Sequence, residues 1–231
     1  MIEIHRSDER GSFRNAWLDA RFSFELGAYR NASRSGYSDL LVLNEDIVAP
    51  GMGFAAHPHD NVEVLSFPLS GSVEHRDSTG AREVLSYGDV HLMRAGTGIV
   101  HSEMNPSPTE YERHVQWWIR PAHRDARPTY AKRHFSPEAK RDRLCLIAAP
   151  DADESALRID QDVRIYASIV GRGAIRHALA PARRAYLHVL RGALSVNEEI
   201  LRSGDGAHIE QLSNLILQAD DEAEIVLFDL R

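Results

Sequence analysis

A single cysteine, Cys145, stands in 231 residues, so no disulfide can form within the chain. That fits a reducing compartment. Lysine is almost as scarce: only Lys132 and Lys140 occur, and the remaining basic side chains are arginines spread along the sequence. A formal charge of −7 and a pI near 5.9 leave no basic field to attract phosphate backbones, so direct nucleic-acid binding is not expected. No segment approaches the ~20 apolar residues of a membrane-spanning helix. Met1-Ile2-Glu3-Ile4-His5-Arg6 lacks the apolar run of a secretory signal. A cytoplasmic protein is the expectation. Gly-rich phosphate loops, a nucleophile elbow and a His-Glu-x-x-His helix are also missing.

What remains is an ordinary globular balance, 43% hydrophobic and 26% charged, long enough for two domains. Most of the chain reads as short strands between turn residues. Leu40 to Asn44 runs into Pro50-Gly51, Val62 to Leu69 into Ser70-Gly71, and Ser72 to Arg76 into Asp77-Ser78-Thr79-Gly80. Such texture indicates an all-β sandwich or barrel. Pro121 to Arg143 is polar, with Pro121, Pro128 and Pro137, and reads as a connector with a short helix near Pro137 to Arg141. Beyond it the strand texture returns and repeats. Gly71 followed by Gly88-Asp89 has a counterpart in Gly192 followed by Gly204-Asp205. Two tandem barrels follow, with expected bounds 1–125, a connector 126–143, and 144–231.

Alternate residues of a strand share a face, so His57 and His59 form one inward pair and His101 and Glu103 another. If the two strands face each other, three imidazoles and a carboxylate converge. This donor set suits one divalent first-row ion, whether iron, zinc, copper, manganese, nickel or cobalt. Glu63 has the same parity as His59 but would lie about 13 Å beyond it in a straight strand. A bend at Asp60-Asn61 would return it, so local reasoning leaves either glutamate as the fourth ligand.

The spacing of Gly51, His57-Pro58-His59, Glu63 and Gly71 resembles the first motif of the cupin superfamily. Gly88-Asp89, Gly98-Ile99-Val100-His101 and Asn105 resemble the second, with Gly96 where cupins usually carry proline. More narrowly, His57-Pro58-His59, Val73-Glu74-His75-Arg76-Asp77-Ser78 and Ala95 through Glu103 resemble the pirin family, and within it the bacterial pirin-like quercetinases. The resemblance implies two tandem cupin (double-stranded β-helix) barrels with one metal ion in the N-terminal barrel. It implies His57, His59, His101 and Glu103 as ligands, preferring Glu103 over Glu63. The implied activity is cleavage of a flavonol such as quercetin by dioxygen with release of carbon monoxide, with Glu103 as ligand or transient base. The alternative it carries is a metal-containing binding or regulatory protein without turnover, of the kind eukaryotic pirins represent. A protein partner is thus conceivable, but no residue pattern supports one.

Pro68 departs from the family's apolar run and implies an edge strand or a bulge. Counting from the repeated glycines places Ala178, Ala180, Leu217 and Ala219 at the ligand positions of the second barrel, which is expected to hold no metal. His177, His188 and His208 are read as structural or surface residues. His75 and Gln116 are candidates for orienting ligands or substrate. His114, Gln116 and Trp118 share a face that can line a pocket, although core packing is the commoner fate of Trp117 and Trp118. Phe22 and Phe24 are likewise expected in the core before the pocket mouth.

Overall fold

The computed structural model describes residues 1–231 and is about 56% strand and 4% helix, an all-β bicupin. In chain order the strands are β1 (Ile2–His5), β2 (Gly11–Arg14), β3 (Leu18–Phe22), β4 (Leu40–Val48), β5 (Gly53–His59), β6 (Glu63–Ser70), β7 (Ser72–Asp77) and β8 (Arg82–Ser86). Then come β9 (Asp89–Arg94), β10 (Ile99–Met104), β11 (Glu112–Ile119), β12 (Thr129–His134), the helix α1 (Pro137–Lys140), β13 (Cys145–Ala149), β14 (Leu157–Arg158) and β15 (Arg164–Val170). The last are β16 (Ala174–Ala178), β17 (Arg184–Arg191), β18 (Ala193–Val196), β19 (Glu199–Arg202), β20 (Gly206–Ile209), β21 (Asn214–Gln218) and β22 (Ala223–Leu230).

Two compact units result. One comprises Gly11–His134 with Ile159–Gln161; the other comprises Met1–Arg10, Phe135–Arg158 and Asp162–Arg231. These bounds differ from those expected at both ends of the first barrel. β1 belongs to the second unit, where it pairs with β20, and the supposed connector contains β12, which pairs with β9. Inside each unit the design is the same. The first has a seven-stranded sheet, β12-β9-β6-β11-β4-β3-β2, and a four-stranded sheet, β5-β10-β7-β8. The second has β1-β20-β17-β22-β15-β13-β14 and β16-β21-β18-β19. Strand for strand the two orders correspond, with β6 matching β17 and β10 matching β21. The repeated glycines mark the matching turns.

The interiors differ in chemistry. In the second barrel Leu187 pairs with Leu227 on one side and Ala207 on the other. They lie in a buried apolar cluster with Val189, Val196, Leu215 and Leu217. The same ladder positions in the first barrel are Ser66, Gln116 and His91. All three are buried, as are His75, His101, Glu103 and His114. A polar interior is costly unless its groups are mutually satisfied or bind something.

Two departures from the cupin pattern have local causes. Pro68 lies in a central strand, not an edge, at a register shift between β6 and β11 where His114 pairs with Pro68 and Arg113 with Ser70. The bulge removes the need for its missing N–H. Gly96 has φ +50, a region closed to proline, and a Cβ built there would lie 1.9 Å from the carbonyl oxygen of Ala126. Gly96→Ala is therefore expected to destabilise the protein by about 1–3 kcal/mol, measured as a fall in the urea midpoint. No helix is long and apolar enough to cross a membrane.

Candidate metal centre

Two neighbouring strands deliver the histidines. β5 and β10 are hydrogen-bonded partners in one sheet, not strands facing each other across the barrel, and His57 lies directly opposite His101. A bulge gives β5 one extra residue, so that Glu103 pairs with Phe54. Bulges beside a site re-aim side chains in this way. β5 is an edge strand, which lets Pro58 stand between the two histidines. The rings of His57, His59 and His101 gather with centroids 4.5–4.9 Å apart. One nitrogen from each lies within 4.8 Å of the others.

Hydrogen bonds show where their lone pairs point. His57 Nδ1 is 2.8 Å from the carbonyl oxygen of Ala55. A carbonyl only accepts, so Nδ1 carries the proton and Nε2 a bare lone pair. That Nε2 faces His101 Nε2 at 3.0 Å. His59 Nε2 is buried and has no hydrogen-bond partner. Burial, reinforced by His57, lowers the pKa of His59 to about 4. Burial likewise lowers His101 to about 4, against the pull of Glu103. Both rings are neutral at pH 7, the form that ligates metals. Converging neutral imidazoles with an orphaned buried nitrogen fit a borderline divalent cation.

Glu103 approaches differently from the expected fourth member. Its Oε2 accepts from Gln116 Nε2 at 2.8 Å and its Oε1 from Ser66 Oγ at 3.1 Å. Its carboxylate clusters with His75 and His91, while the three other histidines form a group of their own. Burial raises its pKa, but His101, His91 and His114 and the Gln116 hydrogen bond outweigh this and hold it at about 2. It is a fixed anion beside the imidazoles. Glu63 is engaged elsewhere. Its carboxylate accepts from Arg94 Nε at 2.9 Å and from the backbone N–H of Asp160 at 3.0 Å. His91 went unmarked in the sequence, where one histidine between Val90 and Leu92 gives no signal. It is fully buried, and desolvation lowers its pKa to about 3.

His57, His59 and Glu103 line a cavity of about 770 Å³ whose walls are largely apolar, including Phe13, Phe22, Tyr29, Phe54 and Trp118. Asn44, Asp46 and Gln116 add a polar side. Trp118 stands edge-on to His59 at 4.9 Å and donates from Nε1 to Gln116 Oε1 at 2.8 Å. Trp117 faces the other way into the core, as does Phe24, whereas Phe22 faces the cavity. His114 contributes behind this wall. Glu112 and Asp46 outweigh its burial and hold its pKa well above the usual histidine range.

A family model for pirins matches residues 4–119, and one for the quercetinase C-terminal cupin domain matches residues 146–230. The chain belongs to the pirin family. Quercetin 2,3-dioxygenase of Escherichia coli is 35% identical to this pirin over 231 residues, covering 100% of the chain and 99% of the relative. The crystal structure of YhhW from the same organism superposes with a TM-score of 0.96, at 35% identity, covering 100% of this chain and 98% of that one. A second structure, of bacterial pirin YhhW in complex with nickel(II), gives 0.94 at 35% identity and covers 100% and 99%. This pirin binds one divalent metal ion, its identity unspecified.

Ladder register corrects the sequence count for the second barrel. His75 and Val196 each stand four residues after their glycines, and they pair with Glu103 and Leu217. Leu217 thus matches Glu103, Leu215 matches His101, and His177, opposite Leu215, matches His57. The count is off by one residue in β16 and two in β21. Leucines cannot ligate, and His177 is engaged with Asp229 at 3.0 Å. His188 is fully buried and His208 packs edge-on to His5.

Proposed function

We propose that this pirin is a metal-dependent dioxygenase that opens the heterocycle of a flavonol such as quercetin with dioxygen and releases carbon monoxide. His57, His59, His101 and Glu103 would hold the ion. The observation that carries this is the gathering of the His57, His59 and His101 imidazoles, with the fixed Glu103 carboxylate beside them, where His57, His59 and Glu103 line an aromatic-walled cavity of about 770 Å³ that can take a planar polyphenol. A divalent ion bound there supplies Lewis acidity, lowering the pKa of a coordinated hydroxyl as it does for water.

The chain's own residues supply the rest. Phe13, Phe22, Tyr29 and Phe54 offer stacking faces and keep water from the reacting ring. Gln116 and Ser66 fix the Glu103 carboxylate, and Trp118 in turn fixes Gln116. Glu103, held at about 2, is a weak base in the metal-free protein and a good ligand. It accepts the substrate's proton only once that hydroxyl has been acidified. Asn44 and Asp46 face the same cavity and can bind the remaining phenolic hydroxyls.

The test is to load the protein with each candidate metal, add quercetin in air, and record oxygen uptake with carbon monoxide release. Turnover with at least one metal is expected; none with any of nickel, iron, copper, manganese, cobalt and zinc overturns the proposal. Phe22→Ala should raise KM about 2- to 10-fold, the ~0.5–1.5 kcal/mol of one aromatic contact. Its kcat should change less, since Phe22 touches no reacting atom.

A further inference from the structure

Behind His101, on the side away from His57, lies an unbroken line of hydrogen-bonding groups. His101 Nδ1 is 3.5 Å from His75 Nδ1, and His75 Nε2 is 2.9 Å from Asp77 Oδ2. The His75 and Asp77 side chains are wholly buried, and His75 stacks on Tyr130 at 4.8 Å. The other carboxylate oxygen of Asp77 is anchored in the β7–β8 turn, accepting from Thr79 N at 2.8 Å and Thr79 Oγ1 at 2.6 Å.

The direction of every proton in this line is fixed from its end. A carboxylate can only accept, so His75 Nε2 carries the proton. A neutral His75 then presents a bare Nδ1, which accepts from His101 Nδ1–H. His101 is left with its lone pair on Nε2, the atom that faces His57 Nε2 at 3.0 Å. The Ala55 carbonyl independently sets His57 the same way. Two lone pairs are thereby turned toward each other, an arrangement that a bound cation would relieve.

We infer that Asp77 and His75 are positioning residues: the turn aspartate, acting through His75, sets the tautomer of His101 so that its Nε2 is free to ligate the metal ion. Outer carboxylates commonly orient a metal-bound histidine directly; here the carboxylate acts through an intervening imidazole. The inference rests on His101 being a ligand, and beyond the proposed activity it says nothing of substrate.

Asp77→Asn tests it sharply. The amide keeps an oxygen for the Thr79 turn but puts an NH2 donor where Oδ2 accepted. His75 must then accept at Nε2 and donate from Nδ1, and His101 must accept at Nδ1 and carry its proton on Nε2. The proton order is reversed, and the metal-binding nitrogen is blocked. In metal-free protein, nitrogen-15 NMR of the histidine rings should show His101 protonated at Nδ1 in the wild type and at Nε2 in D77N. Nickel affinity, measured by chelator competition, should fall about 10- to 100-fold in D77N.

His75→Ala uncouples the two ends and lets His101 choose either tautomer, so it should lose less than D77N. The double variant D77N/H75A should recover to the level of H75A, a non-additivity that lost packing alone would not give. An unchanged His101 tautomer in D77N, or a double variant weaker than both singles, overturns the inference even if nickel binds where proposed. A His101→Ala variant that binds nickel like the wild type instead refutes the ligand assignment, and with it the role of the relay. Thermal melting of each variant confirms that it is folded.

Discussion

His57→Ala is expected to purify with little metal and to weaken nickel binding by more than about a hundredfold, beyond the 10- to 100-fold typical of an outer-shell change. His57 is the imidazole whose lone pair is fixed by the shortest lever, the Ala55 carbonyl two residues away. It sits opposite His101, so its loss removes one whole side of the convergence. Elemental analysis and chelator competition read the effect directly, without reference to substrate. Wild-type affinity in this variant would mean that the ion binds elsewhere, with the His75, His91 and Glu103 group as the next place to look. Flavonol turnover should vanish in parallel; turnover that survives metal loss would separate the chemistry from the ion altogether.

Lys140→Ala should destabilise the second barrel by about 3–5 kcal/mol, the usual result of stripping one member from a buried ion pair. Lys140, on α1, is fully buried and its Nζ lies 2.6 Å from Glu224 Oε1 on β22. Without it Glu224, only 4% exposed, loses its nearest cation; Arg191 stands farther off at 3.9 Å. The urea midpoint should drop accordingly, while nickel affinity stays within about twofold, since Lys140 belongs to the other compact unit. Replacing both partners by apolar residues, Lys140→Met with Glu224→Leu, should restore most of the loss, because the desolvation of two charges disappears together. A single variant as stable as the wild type would show that the pair contributes nothing.

The two barrels were legible in the sequence because strands and turns announce themselves locally: apolar runs, then Gly71, Gly88, Gly192 and Gly204 at the matching corners. Strand pairing is not local. β1 and β20 are some two hundred residues apart, and nothing in Ile2-Glu3-Ile4-His5 says which barrel it joins. Lys140 shows the same blindness. In a polar, proline-spaced segment it looks like a solvated connector, and the carboxylate of Glu224 that pairs with it in its burial lies 84 residues on.

At the site, His57, His59 and His101 were marked by alternation along single strands, which is why they could be named in advance. That β5 and β10 would be neighbours and not opposing strands was beyond that reasoning, as was the bulge that turns Glu103 toward Ser66 and Gln116. Asp77 is the instructive case. In the sequence it is one more turn residue beside Gly80, and it does make that turn. Its second oxygen reaches His75, a contact that only the folded hairpin creates.

The pairing of β1 with β20 also bears on how the chain is made. At about 5–20 residues per second, the ribosome needs roughly 10–40 s between finishing residues 2–5 and supplying residues 206–209. During that interval the barrel that carries the histidine cluster, complete but for Ile159–Gln161 once His134 has emerged, already has all its strands. The leading strand must wait, its ladder groups unsatisfied, until the other barrel is nearly finished.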